Sequence, residues 1–380
     1  MDVLAGEEQI ASLYEFTGPF VTVYLDATRS TETGPQEVEV RWRDVSEDLE
    51  KRGADGATLN ALADAIAADY GTPGPHGLVL VGTQGRLVFA DRLHNPPAHS
   101  RGVLAPLPHL MPYLAQRATD VPHVVVVADR TGADILLVPA GGETTTEQVK
   151  GQVEWPLHRT SADAWNERHF QTRVENNWEH NARDVADAVR RLVAERTARL
   201  IVVAGDVRAR NMIAEELQRG LPLGVRVDQV EEGGRAPGAS TAALEAAVHD
   251  RVLRQAWRER REVLEHLAQN LGRHRFGVAG VAEVADALRM SQADTVVLSD
   301  DPSSTLRAWI GPLLTEFGLD DSEADAMGID TVAHDRYDAA LVRAVVGTGA
   351  KFVVTPGAHE YVKDGIGALL RYETLDTPYR

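Results

Sequence analysis

The sequence predicts a mixed α/β (α+β) fold in three domains. Short β-branched runs alternate with helical periods along the whole chain. A proline-rich passage from Asn95 to Pro112 interrupts that patterning. The 380 residues, 43% of them hydrophobic, are enough for two to three cores. The expected divisions are 1–120, an N-terminal α/β domain; 121–272, a middle domain; and 273–380, a C-terminal α/β domain.

In the first segment the patterning predicts a helix near Glu7 to Phe16, a strand at Phe20 to Asp26, and helices at Gln36 to Arg52 and Thr58 to Tyr70. Strands follow at Gly77 to Gly82 and Arg86 to Asp91, joined by the turn Thr83-Gln84-Gly85. The middle segment opens with a strand at His123 to Ala128, turns at Asp129-Arg130-Thr131-Gly132, and returns at Asp134 to Pro139. A third strand is expected near Glu147 to Val153. After a loop and a long helix come a strand at Leu200 to Ala204, a helix around Asn211 to Arg219, a strand at Val225 to Val230, and a helix from Thr241 to about Gly272. The last segment reads as helix at Val281 to Met290, strand at Thr295 to Ser299, helix at Asp335 to Val346, strand at Lys351 to Thr355, and a final strand near Gly367 to Tyr372. No internal repeat or low-complexity segment is visible.

Composition removes several function classes. No apolar run reaches eighteen residues, and MDVLAGEEQI has no basic region leading into an apolar one, so the expectation is a soluble protein without membrane partner. The absence of cysteine excludes disulfides and thiolate metal sites and fits a reducing, cytoplasmic location. A net charge of −18 disfavours DNA wrapping. The charge is unevenly spread: residues 121–260 hold 19 basic and 21 acidic side chains, net −2, leaving −16 for the rest. A near-neutral middle is the part that can approach RNA phosphate. Of the 39 basic residues only Lys51, Lys150, Lys351 and Lys363 are lysine. Arginine suits phosphate forks and base stacking, although a GC-rich genome gives the same bias.

Standard catalytic signatures are missing. There is no Walker-type glycine loop, no HExxH pair (His359-Glu360 lacks a second histidine) and no G-x-S-x-G elbow. His169 and His180, eleven apart, lack metal-ligand spacing, so no metal and no cofactor are expected. Asp129 could begin a nuclease carboxylate cluster, but an Asp opening a tight D-R-T-G turn fits the pattern better. Arg251, Arg254, Arg258 and Arg261 share one face of the long helix and could track a nucleic-acid backbone. Glu262 and Glu265 lie four residues beyond Arg258 and Arg261, so a solvated, salt-bridged face is an equal reading. Arg208 and Arg210, between a strand and a helix, are candidates for anion binding.

The most informative stretch is Ala164 to Val189. From Val174 onward, Trp178, Ala182, Val185, Val189, Leu192 and Val193 recur at helical spacing and predict one buried stripe. Trp165, Asn166, Glu167, Arg168 and His169 follow no period and read as an exposed loop tip rooted on that helix.

The succession strand, D-R-T-G-A-D turn, two strands, projecting loop and long helix with His180-Asn181 and Val185-Ala186 resembles the central domain of archaeal and eukaryotic class I release factors and of Pelota. In that group a Gly-Gly-Gln loop precedes the helix, with a His-Asn-type pair about fourteen residues beyond the glutamine. Fourteen residues before His180 stands Asn166, so Ala164-Trp165-Asn166 occupies the Gly-Gly-Gln place and the glutamine is missing. With Phe170-Gln171, Gly205-Asp206-Val207-Arg208, the run Gly277 to Leu288 and the terminal run Gly365 to Tyr372, the chain resembles the bacterial branch of this superfamily, the actinobacterial relatives of the ribosome hibernation factor Balon.

That resemblance implies an N-terminal domain on the decoding side, an RNase H-like middle domain reaching the peptidyl-transferase centre, and a C-terminal domain similar to a ribosomal-protein-type RNA-binding fold. It implies the ribosome as partner, through rRNA of both subunits at the A site, with elongation factor Tu as a candidate second partner. Release by Gly-Gly-Gln depends on glycine backbone freedom and a well-placed amide. Ala164 and Trp165 remove the freedom, and Asn166 is one methylene shorter than glutamine. The expected role is therefore RNA binding without hydrolysis, through Ala164, Trp165, Asn166, Arg168, His169 and Gln171, with Trp165 stacking on an unpaired base. Alternatively Trp165 packs against its own domain. The secondary RNA contacts are Arg208, Arg210, Arg251, Arg254 and Arg258, and no residue is assigned as catalytic. The expected function is ribosome hibernation. The alternative is a peptidyl-tRNA hydrolase of the release-factor or Vms type in which Gln171 replaces the missing glutamine; a third, an RNase H-like nuclease, needs carboxylates around Asp129 that the sequence does not assemble.

Overall fold

The N-terminal segment is built on a four-stranded antiparallel sheet. Its elements are α1 (Leu4–Leu13), β1 (Phe20–Asp26), α2 (Gly34–Lys51), α3 (Gly56–Ala68), β2 (Gly77–Thr83), β3 (Arg86–Leu93), β4 (Arg101–Ala105) and α4 (Met111–Arg117), with sheet order β3-β2-β1-β4. The computed structural model describes residues 4–29, 34–69, 75–129, 131–139, 144–150, 164–196, 198–235, 240–301, 303–326, 328, 333–355, 362–374 and 377; within these, the side chains of 4–8, 150, 164–177 and 196 lie outside the description.

β1 and β2 read as near-continuous apolar runs because both their faces are covered. Val21, Val23, Leu25, Leu78 and Leu80 meet Val38, Val45, Leu49 and Leu62 of α2 and α3, while Phe20, Tyr24, Val79 and Val81 enter a second core. Asp55 caps α3, its carboxylate accepting from the Thr58 amide at 2.8 Å. The Asn95 to Pro112 passage is not wholly irregular as expected: Arg101–Ala105 pairs with β1, and α4 starts at Met111 with Pro112 in its first turn. Proline is tolerated there because first-turn amides have no intrahelical acceptor.

The middle segment comprises β5 (His123–Asp129), β6 (Gly132–Val138), β7 (Thr145–Lys150), α5 (Ala164–Arg196), β8 (Leu200–Gly205), α6 (Val207–Gln218), β9 (Arg226–Gln229) and α7 (Thr241–Gly272). The sheet order is β7-β6-β5-β8-β9; β5, β6 and β7 are antiparallel neighbours, and β8 and β9 run parallel to β5. This 3-2-1-4-5 order is the RNase H-like arrangement that the resemblance implies. Alternate strand residues serve opposite layers. Val124, Val126, Ile201 and Val203 pack on α5 and α6, whereas Leu200, Val202 and Ala204 pack on Val252 and Ala256 of α7. Residues 151–153 of the expected third strand lie outside the described residues.

The C-terminal segment holds β10 (Gly277–Ala279), α8 (Val281–Arg289), β11 (Ala293–Leu298), β12 (Arg307–Ile310), β13 (Phe317–Gly318), α9 (Asp321–Ala326), β14 (Ala333–Arg336), α10 (Tyr337–Thr348), β15 (Lys351–Val354) and β16 (Ile366–Leu370). They form a sheet of order β10-β16-β11-β15 and a small sheet of order β13-β12-β14. Asp335 and Arg336, expected in a helix, belong to β14, and α10 begins at Tyr337. Each segment thus builds its own sheet or sheets. By packing, the chain falls into two compact units: Thr119–Glu259 in one, Glu7–Ala118 and Arg260–Arg380 in the other. In the second, Leu110 and Tyr113 share a core with Val296 and Leu341. Asp335 accepts from the Leu107 amide and the His109 ring at 2.9 Å each.

Candidate functional site

α5 is the longest helix of the middle segment, 33 residues without glycine or proline. Its described side chains confirm the predicted stripe: Ala182, Val185, Val189, Leu192 and Val193 are buried, and Trp178 is half-buried. His180 is exposed and faces Asp184 at 3.7 Å, while Asn181 is buried. A helix rises 1.5 Å per residue, so Ala164 lies roughly 21 Å along the axis from Trp178.

The loop expected at the start of this stretch is corrected. The backbone of Ala164, Trp165, Asn166, Arg168, His169 and Gln171 is helical, forming the first turns of α5. Their side chains are outside the description. The stretch is rich in straight-chain residues such as Glu167, Arg168 and Gln171, which lose little rotamer freedom in a helix. Periodicity reports burial and not helicity, so a helical segment without an apolar stripe gives no period to read.

At the root of α5, a shallow cleft is lined by Asp129, Gly132, Trp178, Asn181 and Ala182, with Ala209 and Ile213 of α6. Asp129 is engaged as a turn residue: its Oδ1 accepts from the Thr131 amide and hydroxyl at 2.7 Å each. It also accepts from Arg235 at 2.8 Å, and the same guanidinium reaches Asp134 at 2.9 Å. Burial alone would raise the Asp129 carboxyl, but Thr131 and the Arg235 charge hold it below the usual carboxylate range. Arg235 was not picked out from the sequence, because its partners stand about a hundred residues away. Among the described residues no group of three His, Asp or Glu side chains is placed to hold a metal. Arg235→Ala should loosen the β5–β6 hairpin by about 1 kcal/mol, two ion pairs at about 0–1 kcal/mol each, because the carboxylates are 35% and 41% exposed and water takes the place of the guanidinium; denaturant midpoints of the variant check this.

The five secondary arginines separate into different roles. Arg208 is exposed and lies over the Trp178 ring, 4.8 Å from its centroid, a cation–π contact that joins α6 to the root of α5. Arg210 is buried; it donates to Gln229 and to the Val230 carbonyl, tying α6 to β9. As an RNA contact Arg210 is therefore corrected: it sits on the inward face with Ile213, Ala214 and Leu217, three, four and seven residues on. Arg251 and Arg254 both reach Asp250 at 3.0 Å. Arg258 donates to Gln255 at 3.3 Å, and Arg261 pairs with Glu265 at 2.7 Å. Ion pairing along this face accords with the salt-bridged reading. Trp257, in the midst of these arginines, is 53% exposed and was not singled out from the sequence.

Residues 122–273 match the model of the bacterial archaeo-eukaryotic release factor family 2. The chain is 28% identical over 369 residues, 96% of each chain, to the uncharacterized protein Rv2629 of Mycobacterium tuberculosis strain H37Rv. Among solved structures it is similar to archaeal translation termination factor aRF1 (16% identity, 96% of this chain and 98% of that one, TM-score 0.25). It is also similar to Saccharomyces cerevisiae Dom34, a translation termination-like factor (9% identity, 98% and 94% coverage, TM-score 0.41). The family match covers residues 122–273, less than half of the chain.

Proposed function

We propose that this protein is a non-hydrolytic ribosome-binding factor that occupies the A site, with the N-terminal turns of α5 reaching the peptidyl-transferase centre of an idle ribosome. One observation carries the reading. In a middle segment that matches a release-factor family, Ala164-Trp165-Asn166 stands where the Gly-Gly-Gln loop belongs, on helical backbone, in a stretch with no glycine from 152 to 204. Hydrolysis by the Gly-Gly-Gln group needs backbone freedom and an amide aimed at developing oxyanion charge. In an α-helix each amide from the fifth residue on is bonded to the carbonyl four residues back. For α5 this commits the amides from Arg168 onward, including that of Gln171. A tryptophan supplies a π face for an unpaired base, and Arg168 and His169 supply charge for phosphate. The near-neutral charge of residues 121–260, against −16 elsewhere, makes the middle segment the part least repelled by rRNA.

Hibernation, delivery with elongation factor Tu, a cytoplasmic location and the three-domain division at about 120 and 272 belong to the same proposal. Among the described residues no helix is long and apolar enough to cross a membrane. The test is co-sedimentation with vacant ribosomes through sucrose. Wild type is expected in the ribosome pellet at low salt, and its absence there would sink the proposal. Trp165→Ala should weaken binding about 5- to 150-fold while the protein stays folded, from the usual cost of losing one base stack. Peptidyl-tRNA hydrolysis on stalled ribosomes, present in wild type and lost in Gln171→Ala, would favour the hydrolase instead.

A further inference from the structure

The N-terminal sheet has the order β3-β2-β1-β4, so β3 and β4 are both edges, and an edge strand offers unpaired amides and carbonyls to any other strand. β3 is blunted: it carries Arg86, Asp91 and Arg92, and its register shifts where it pairs with β2. β4, Arg101-Gly102-Val103-Leu104-Ala105, has one charge and no shift against β1. Its outward groups can be identified. The Asp26 amide donates to Ser100 Oγ at 3.0 Å, so Asp26 and, by alternation, Tyr24 and Thr22 turn their backbone groups toward β4. Tyr24 and Thr22 pair with Arg101 and Val103, which leaves Gly102 and Leu104 facing away from β1. No described residue bonds the backbone of either on that side. Beside this edge lies a groove of about 460 Å³, within the range of ligand sites. One wall is the segment 97–102; the other is α2, through Arg41, Asp44 and Asp48, with Arg52 just beyond it.

We propose that this groove takes an extended basic segment of a partner protein, which adds to the sheet as a further strand along Gly102 and Leu104 and sets a lysine or arginine against Asp44. The inference goes beyond the ribosome-binding reading and does not depend on it. Main-chain pairing supplies the fit, because a strand is what matches donors and acceptors spaced along a sheet edge. Charge supplies the choice of occupant. Arg41 is paired with Glu37 at 3.1 Å and with Asp26 at 3.5 Å, and Arg52 with Asp48 at 2.7 Å, whereas Asp44 has no partner among the described residues. The surroundings keep that sign: α2 holds six acidic and three basic side chains, and residues 1–120 hold 17 acidic and 9 basic, a net of −8. An RNA strand would meet this field as repulsion. A second copy of the chain would bring the same acidic α2 to the groove.

The experiment uses the full chain and a fluorescein-labelled octapeptide alternating lysine and valine, read by anisotropy, beside the same peptide with every amide N-methylated. Wild type should bind the first and not the second. Binding should slow hydrogen exchange at the Gly102 and Leu104 amides and leave Arg101 and Val103, already bonded to β1, as they are. Asp44→Lys should weaken the peptide about 2- to 30-fold, from one exposed attraction lost and a repulsion of similar size gained, while Asp44→Glu should keep the affinity. Because Asp44 is exposed, Asp44→Lys should melt as wild type does. No binding by wild type, equal binding of the N-methylated peptide, or unchanged affinity in Asp44→Lys overturns the proposal. So does oligouridine that protects the same two amides, or a peptide-free dimer in which they are already protected. Failure of wild type to pellet with ribosomes, with Asp44-dependent peptide binding intact, instead removes the A-site reading and leaves this one standing.

Discussion

Gly205→Ala is expected to destabilise the Thr119–Glu259 unit by roughly 2–6 kcal/mol, combining a strained backbone with an overpacked site. Gly205 ends β8 at φ +105, a conformation that residues with a Cβ rarely adopt. A Cβ built there would lie 2.0 Å from the Ala128 carbonyl oxygen and 2.9 Å from the Ala128 amide nitrogen. Both are backbone atoms of β5, at the centre of the five-stranded sheet, so no side chain can swing aside. The same tight approach lets the Asp206 amide donate to the Ala128 carbonyl at 2.9 Å. The Asp206 carboxylate then caps α6 through the Arg208 and Ala209 amides at 3.0 and 3.2 Å. Glycine is therefore what allows β8 to end beside β5 while α6 starts with its cap in place. Asp206→Ala is the calibrating variant, expected to cost about 1 kcal/mol for a lost cap. Denaturant unfolding compares the two; a Gly205→Ala loss no greater than that of Asp206→Ala would refute the steric argument.

The helical stripe of α5 and the strands β5, β6 and β8 were legible because burial there follows one period without interruption. Ala182, Val185 and Val189 can meet the sheet only at helical spacing, and Val124 to Ala128 only as a strand. The inward turn of Arg210 was also written in the sequence, through its spacing to Ile213 and Leu217, but its position after a strand suggested an anion site more readily than a buried tie to Val230. β12, β13 and β14, four residues or fewer each, are too short to carry an alternation. Arg235 was illegible for a different reason: its meaning comes from Asp129 and Asp134, which only tertiary closure brings near. At the candidate site, aromatic and cationic residues were visible as such, while the helical backbone beneath them was not, since nothing periodic marks it.

Asp335→Ala is expected to cost about 2–5 kcal/mol in the unit that holds Glu7–Ala118 and Arg260–Arg380, the desolvation penalty of leaving the Leu107 amide and the His109 ring without their acceptor. Asp335 is 3% exposed and accepts three bonds: from the Arg336 amide at 2.7 Å, the Leu107 amide at 2.9 Å and the His109 ring nitrogen at 2.9 Å. Leu107 and His109 belong to the N-terminal segment, so a single carboxylate fastens it to β14. Without it, the buried Leu107 amide loses its acceptor as a β-sheet neighbour cannot replace it across this seam. The pH dependence follows from sign. Burial pushes the Asp335 carboxyl up, but the His109 ring and the Arg336 and Leu107 amides outweigh it and hold the group below the usual carboxylate range. A depressed carboxylate contributes stability that is complete above the unfolded value, about 3.9, and is lost as pH falls through the lower folded value. Asp335→Asn keeps the volume and one acceptor oxygen but removes the charge. The stability gap between wild type and Asp335→Asn should therefore be widest above about pH 5 and narrow below about pH 4. Denaturation midpoints of the two proteins across that window decide the matter: a gap that stays constant down to about pH 2.5 would show that Asp335 holds the segments together by shape and not by charge.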